Sequence, residues 1–223
     1  MTAHLENKKT RWIRVLGVDP AAAGPTGFGI VESDGRHCRM LHYGALQVAA
    51  QRRKESLGAA LQDVHALLCR LIEEFSPDAL AVEAVFAALN IRTALRLAEV
   101  RGVVLLAAAQ HGLSVHSYSP REVKASVAGY GHADKHQMQL MVRALLSMTE
   151  TPEPADAADA LAVALCHLQA EQARRKFNLP VVAKSTGRTV RNVLAAVAPA
   201  LAPRNTTRTT SPRIVINQRS TYL

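Results

Sequence analysis

The sequence has few cysteines, few aromatic residues and no long hydrophobic run. Its three cysteines, Cys38, Cys69 and Cys166, lack the paired spacing of a zinc site or a disulfide framework, so we expect buried thiols in a reducing compartment. The longest apolar run, residues 103–109, is far too short to span a membrane. Residues 1–10 are polar and charged, unlike a signal peptide. We therefore expect a soluble, cytoplasmic protein with no membrane partner.

Acidic residues are absent from the C-terminal part of the chain. Residues 174–223 contain 10 Lys/Arg and no Asp/Glu, whereas residues 1–173 contain 17 Lys/Arg and 18 Asp/Glu. We predict an N-terminal extension over residues 1–12, one globular domain over 13–173, and a basic, flexible tail over 174–223. Such a tail attracts polyanions such as nucleic acid, and a merely solvated extension is the alternative.

Two buried strands are predicted to end in acids. The apolar run at 14–18 is followed by Asp19, and the run at 79–82 is followed by Glu83. If the two strands pair in parallel, both carboxylates lie at one sheet edge, about 5 Å apart. For Glu83 alone, capping a strand at the surface is the simpler interpretation.

The remaining pattern predicts an α/β fold with a five-stranded mixed sheet flanked by helices. Asp34-Gly35 favours a tight hairpin, which gives three antiparallel strands first, and two parallel strands follow. The long helix predicted over residues 90–110 is apolar nearly all round in its second half, apart from Arg101. A helix of this kind must be buried centrally or against a second subunit.

A second pair of acids lies in the last predicted core helix. Asp156 and Asp159 are one turn apart on one face, and Asp159 is surrounded in sequence by alanine and aliphatic residues. A lone carboxylate there would cost several kcal/mol unless it is paired or neutralised. Because no basic residue occurs between Arg143 and His167, a bound cation is the economical partner.

Lys124 and Lys135 occupy the first turns of two further predicted helices, the first of which opens with a capping box at Ser119. Each lysine is by default a surface charge, although a pair directed at one anion would suit a phosphate.

Phe86, just after Glu83, either stacks on a base or packs under the next helix. A zinc site at His132 and His136 is disfavoured because no suitable third ligand lies nearby.

Three or four carboxylates without a Cys or His set are typical ligands for Mg²⁺ or Mn²⁺. Two such ions about 4 Å apart activate a water and stabilise the leaving oxygen in phosphodiester cleavage. Nearby lysines would offset the charge that develops on the scissile phosphate. The order of the acids, two at strand ends and then a helical Asp-x-x-Asp, is more specific than any one of them.

From about residue 14 to 172 the chain resembles the RuvC family of Holliday-junction resolvases, part of the RNase H-like superfamily. The matching motifs are LGVDP at 16–20, TGFG at 26–29, VEAVF at 82–86 followed by Asn90, residues 98–103 with RG at 101–102, REVK at 121–124, GYG at 129–131 with Lys135, and ADAADALA at 155–162.

The resemblance implies a homodimeric, magnesium-dependent endonuclease that cuts two opposed strands of four-way junction DNA during recombination and repair, with a branch-migration motor complex as partner. It implies two metal ions held by four acids, and basic groups and DNA contacts nearby. The implied metal ligands are Asp19, Glu83, Asp156 and Asp159; the implied basic residues at the scissile phosphate are Lys124 and Lys135; the implied further DNA contacts are Phe86, Asn90, Arg92 and Arg121.

The loop after the first acid departs from the family pattern. Ala21 stands where the family has glycine and the spacer is one residue longer, so we expect a different turn, with Gly24 supplying the flexibility. Rival functions are a nucleotide-phosphate ATPase of the same superfamily, an RNase H-like nuclease acting on structured RNA, and a catalytically silent junction-binding protein. The first needs a second glycine-rich loop that this chain lacks.

Overall fold

The computed structural model describes residues 11–22, 24–47, 57–84 and 91–177. The strands are β1 (Ile13–Asp19), β2 (Thr26–Ser33), β3 (Cys38–Leu46), β4 (Ala79–Glu83) and β5 (Ser114–Tyr118). The helices are α1 (Leu57–Phe75), α2 (Ile91–Gln110), α3 (Pro120–Ala128), α4 (Lys135–Leu145) and α5 (Ala155–Lys176).

The five strands form one mixed sheet in the order β3-β2-β1-β4-β5. β1, β2 and β3 are antiparallel neighbours, and their β2–β3 hairpin turns at Gly35, whose φ of 93° suits glycine. β4 runs parallel to β1, and β5 runs parallel to β4. The prediction of three antiparallel strands followed by two parallel strands is therefore confirmed.

Each face of the sheet is covered by helices, because side chains alternate along the strands and the central strands are apolar on both faces. One core joins Leu16, Val18 and Leu80 to side chains of α1 and α2. The other joins Val15 and Ala81 to side chains of α3, α4 and α5. α5 is the central helix of this second layer, since every residue from 160 to 168 is buried.

Two glycines let α5 lie directly on the sheet. A Cβ placed on Gly17 would collide with the carbonyl oxygen of Ala160, and one on Gly27 would collide with that of Asp156. Since Gly17 and Gly27 have no side chain, the helix backbone touches the backbone of β1 and β2 there. This contact fixes the height of the first turns of α5 above the strands.

α2 is buried on only one side. Val100, Val104 and Ala107 pack against the sheet, whereas Leu95 is 61% exposed and Leu106 is 52% exposed. The apolar second half of this helix therefore has one face in the core and one open face within this chain. None of the helices in the described residues is long and apolar enough to cross a membrane.

The predicted helix boundaries agree closely with the structure at α3. Ser119 accepts from the backbone N–H of Glu122, whose side chain accepts from the backbone N–H of Ser119, and Pro120 takes the first position.

In the loop after β1, Gly24 does not take a positive φ, and a Cβ there would meet only the Cβ of Ala21 at 3.7 Å. The structure therefore gives Gly24 no left-handed conformation, and its expected contribution to the flexibility of this turn stays a prediction.

A buried ion-pair network joins the three antiparallel strands at the end remote from Asp19. Glu32 is 2% exposed and accepts hydrogen bonds from Arg14 Nη2 at 2.8 Å and Arg39 Nε at 2.6 Å. Burial acts to raise the pKa of Glu32, but the hydrogen bonds from Arg14 and Arg39 outweigh it and hold the pKa below its usual value. Arg14 also donates to the carbonyl of Phe75, which ties β1 to the end of α1.

Candidate active site

Asp19 and Glu83 end two neighbouring parallel strands. The register pairs Val18 with Val82, so the next residues, Asp19 and Glu83, lie side by side at the carboxyl edge of the sheet. Side-chain alternation places both on the face covered by α5, the same face as Val15. This is the arrangement that the two acid-terminated runs predict.

Asp156 and Asp159 reach the same edge from the start of α5. Asp156 lies in the first turn, where the positive end of the helix dipole favours a carboxylate. Asp159 is three residues later on the same face of the helix, and its charge acts on Asp19 at the sheet edge. Because the Gly27 contact holds the backbone of Asp156 against β2, the position of both acids follows from the packing of α5.

Electrostatic interactions link all four carboxyl groups. Burial, followed by the charges of Glu83, Asp159 and Asp156, raises the pKa of Asp19 to about 8, and Lys135 opposes the rise. Burial and Asp159 likewise raise the pKa of Glu83, which Lys124 counters. The acids therefore repel one another, and the lysines offset only part of that repulsion.

Two lysines lie beside the acids. Lys135 Nζ is 3.6 Å from Asp159 Oδ2, and Lys124 is close enough to lower the pKa of both Glu83 and Asp159. Asp159 thus has a partner that is remote in sequence, and its side chain is 36% exposed, so it is less buried than its alanine-rich surroundings suggest.

Capping boxes orient the helices that carry these lysines. Asp134 caps α4 immediately before Lys135, and Ser119 caps α3 five residues before Lys124. α3 starts directly after the end of β5, and Lys135 in the first turn of α4 reaches Asp159, so both helices start near the acids. Together with Glu83 and Asp159, the two lysines border a cleft of about 250 Å³. The cleft is lined by Glu83, Pro120, Val123, Lys124, Lys135, Met138, Asp159 and Ala162.

The donor set fits a hard divalent cation. Every candidate ligand is a carboxylate, and after burial the charges of Glu83, Asp159 and Asp156 act to raise the pKa of Asp19, against one opposing charge from Lys135. Over the described ranges, no three His, Cys, Asp or Glu side chains are grouped closely enough to hold an ion as they stand. Carboxylates that share a site diverge unless positive charge lies between them, so side-chain rotation would be needed to close the set on a cation.

The other predicted DNA contacts are less clearly connected to this site. Arg92 is exposed in the first turn of α2, and Arg121 is exposed in the first turn of α3. His132 and His136 are exposed. Phe86 and Asn90 lie outside the described residues.

Arg101 is a residue whose contacts sequence reasoning did not identify. Its Nη1 donates to the carbonyl oxygen of Glu83 at 2.9 Å, and its Nη2 donates to Ser117 Oγ at 2.6 Å. One signal in the sequence could have indicated these contacts: Arg101 is the single charged residue in an otherwise apolar half-helix. A partly buried guanidinium must find hydrogen-bond acceptors.

Comparison with known proteins identifies the family. The family model described as crossover junction endodeoxyribonuclease RuvC matches residues 15–167, more than half of the chain. The chain belongs to the RuvC family. Among curated RuvC proteins, that of Caldicellulosiruptor saccharolyticus is 43% identical over 157 residues, covering 70% of this chain and 92% of the relative. The RuvC family is a family of metal-dependent nucleases.

Solved structures agree with this assignment. T. thermophilus RuvC in complex with a Holliday junction substrate is 34% identical, with a TM-score of 0.68 over 72% of this chain and 96% of that chain. The yeast mitochondrial Holliday junction resolvase shares the fold at 15% identity, with a TM-score of 0.55 over 75% of this chain and 82% of that chain. The predicted RNase H-like fold is therefore confirmed.

Proposed function

We propose that this protein is a crossover junction endodeoxyribonuclease that resolves four-way DNA junctions in recombination and repair. It cuts phosphodiester bonds symmetrically in two opposed strands. The observation that carries the proposal is the electrostatic convergence of Asp19, Glu83, Asp156 and Asp159 at one sheet edge in a chain of the RuvC family. A homologous RuvC bound to a Holliday junction substrate supports the choice of DNA.

In this proposal the four acids hold Mg²⁺, with Mn²⁺ as a substitute and two ions per site. Bound ions of this kind activate a water and stabilise the leaving oxygen of a phosphodiester. Asp19 and Glu83 are held by paired strands and Asp156 and Asp159 by a packed helix, so the ligands start from rigid positions. Rigid ligands favour binding because little conformational entropy is lost.

Lys124 and Lys135 serve as the groups that stabilise negative charge on the scissile phosphate. Both are close to the acids, and Lys135 is 61% exposed, so it can turn between Asp159 and an incoming phosphate. Arg92 and Arg121 are proposed as phosphate contacts further from the cut. Phe86 and Asn90 are proposed DNA contacts on the strength of their motif alone.

Two-strand cleavage requires two active sites, and a homodimer supplies them. The exposed Leu95 and Leu106 on α2 support this assembly, because a monomer gains nothing from leaving them in water. Light scattering after size exclusion should give about twice the 24.1 kDa chain mass. The proposal also includes that the protein acts in the cytoplasm, together with a branch-migration motor complex.

The domain assignment also enters the proposal. Residues 13–173 carry the nuclease, and residues 174–223 act as a basic tail, of which residues 174–176 form the end of α5. Deletion of residues 178–223 tests the tail: weaker junction binding with a shallower salt dependence would make it a DNA clamp, and unchanged affinity would make it a passive extension.

The deciding experiment is incubation of the protein with a four-way junction and Mg²⁺. We expect paired nicks at symmetric positions, and none in EDTA. A linear duplex of the same sequence is the control for junction specificity. Cleavage of structured RNA in preference to the junction would move the protein to the RNA-processing nucleases, and tight junction binding without nicks would make it a silent binding protein.

A further inference from the structure

The peptide unit that follows Glu83 is held on both sides. Its carbonyl oxygen, that of Glu83, accepts from Arg101 Nη1 at 2.9 Å. Its N–H, that of Ala84, donates to the carbonyl oxygen of Tyr118 at 2.8 Å. Because both groups belong to one rigid plane, the two hydrogen bonds fix the ψ angle of Glu83. With ψ fixed, the direction in which the Glu83 side chain leaves the backbone is also fixed.

Arg101 is well placed to hold this plane. It extends from α2 on the opposite face of the sheet from α5, and its neighbour Val100 is buried against the strands. Its second arm donates to Ser117 Oγ at 2.6 Å, so one guanidinium joins the ends of β4 and β5. Burial lowers the pKa of Arg101, yet an arginine remains charged at neutral pH.

We propose that Arg101 is a positioning residue, which orients the metal-ligating Glu83 through its backbone carbonyl and thereby couples α2 to the active site. This inference rests on the proposed function, because it takes Glu83 as a metal ligand. Arg101 touches neither metal nor DNA in this role. Its effect on cleavage passes entirely through the direction of one carboxylate.

Loss of the guanidinium frees one side of the peptide. The Glu83 carbonyl loses the bond from Arg101, while the Ala84 N–H keeps its bond to Tyr118. The peptide can then rotate about the remaining bond, and the Glu83 carboxylate samples directions other than the one it has in the structure. Residues that orient metal ligands typically change metal affinity 10- to 100-fold, so weaker metal binding is the expected result.

The test compares Arg101→Met with wild type by three measurements. Calorimetric titration of the DNA-free protein with Mn²⁺ should show about 10-fold weaker binding. Junction cleavage should need about 10-fold more Mg²⁺ for half-maximal rate. Junction affinity in metal-free buffer should stay within about 2-fold of wild type, since the DNA-contacting residues are untouched.

Two variants separate positioning from general stability. Arg14→Met removes a partly buried arginine that also donates to a carboxylate and a carbonyl, at the opposite end of β1. It should lower Tm while leaving the Mn²⁺ affinity and the Mg²⁺ requirement unchanged. Ser117→Ala removes the second acceptor but keeps the bond to Glu83, so it should shift the Mg²⁺ requirement by about 2-fold at most.

The conservative variant keeps the proposal testable if Arg101→Met does not fold. Arg101→Lys retains the charge but offers one ammonium to two acceptors, and it should bind Mn²⁺ about 3-fold more weakly than wild type. Wild-type Mn²⁺ affinity in both Arg101 variants, or an equal loss in Arg14→Met, would overturn the proposal. Failure of wild type to cut junctions would count against the proposed function instead, because the Mn²⁺ titration needs no cleavage.

Discussion

The two ends of the β1–β2 pair both contain acids, in opposite electrostatic conditions. At one end Glu32 is buried between Arg14 and Arg39, and its pKa is lowered by their hydrogen bonds despite burial. At the other end Asp19 lies among other carboxylates, and burial together with their charges raises its pKa to about 8. Both groups are carboxyls on adjacent strands of one sheet.

The difference separates an acid that stabilises the fold from acids that are available for chemistry. Glu32 has its positive partners within the chain, and nothing further is needed to neutralise it. Asp19 is only partly compensated by Lys135, so it retains a capacity to bind positive charge. Strongly shifted carboxyls in a cleft are candidates for function, and here the direction of the shift distinguishes the two ends.

The largest expected effect comes from Asp19→Asn. Removing one negative ligand while keeping its shape should lower junction cleavage by about 10²- to 10³-fold, since a group that stabilises the reacting charge is lost. Junction affinity measured in EDTA should not change. Cleavage at the wild-type rate would show that the uncompensated end of the sheet is not the active site.

Glu32→Gln probes the compensated end. Without the carboxylate, Arg14 and Arg39 lose their charge partner, and the free energy of unfolding should fall by about 2 kcal/mol. Denaturant unfolding measures this loss. The cleavage rate per folded molecule should match wild type, and a large drop in that rate would contradict the division between the two ends.

Lys135→Met tests the partial compensation beside Asp19. The Lys135 ammonium is 3.6 Å from Asp159, and its loss should slow cleavage about 10-fold because charge on the scissile phosphate is less well stabilised. Single-turnover cleavage at saturating protein measures the effect. Lys176→Met, at the far end of α5, is the matched control and should cleave normally.

The last expected effect is on stability as a function of pH and does not involve cleavage. The Asp19 carboxyl ionises at about pH 8 in the folded chain and near 3.8 when unfolded, so the folded state holds the extra proton between these values. The free energy of unfolding of metal-free protein should therefore fall as the pH rises from 4 to 8. Thermal melts of metal-free protein should show a lower Tm at pH 8 than at pH 4, and Asp19→Asn should reduce this difference. An equal decline in both proteins would contradict the raised pKa.

Much of the fold follows from local sequence signals. Apolar runs ending in Asp19 and Glu83 predict the paired strand ends, and Asp34-Gly35 predicts the hairpin. The capping box at Ser119 predicts the start of α3. These features depend on residues that are neighbours in the chain, so a pattern is enough to find them.

Contacts between distant segments could not be predicted in the same way. The Glu32 network depends on the register that pairs Arg14 with Glu32, and the partner of Asp159 is Lys135 from another helix. The bond from Arg101 to the Glu83 carbonyl has no sequence pattern, because any residue can supply a carbonyl oxygen. Order along the chain predicts that the acids meet at one sheet edge, but the final distances between their carboxylates depend on side-chain rotation, which the sequence does not show.

The direct backbone contact of α5 with Gly17 and Gly27 limits how this site can be engineered. Because no side chain separates α5 from the strands at Gly17 and Gly27, the backbones that carry the strand acids and the helix acids are in rigid contact. Lengthening a surface loop would therefore not change the distance between these backbones. If the four acids hold an ion as proposed, adapting the site to a larger ion would require new side chains at those four positions, within an unchanged backbone.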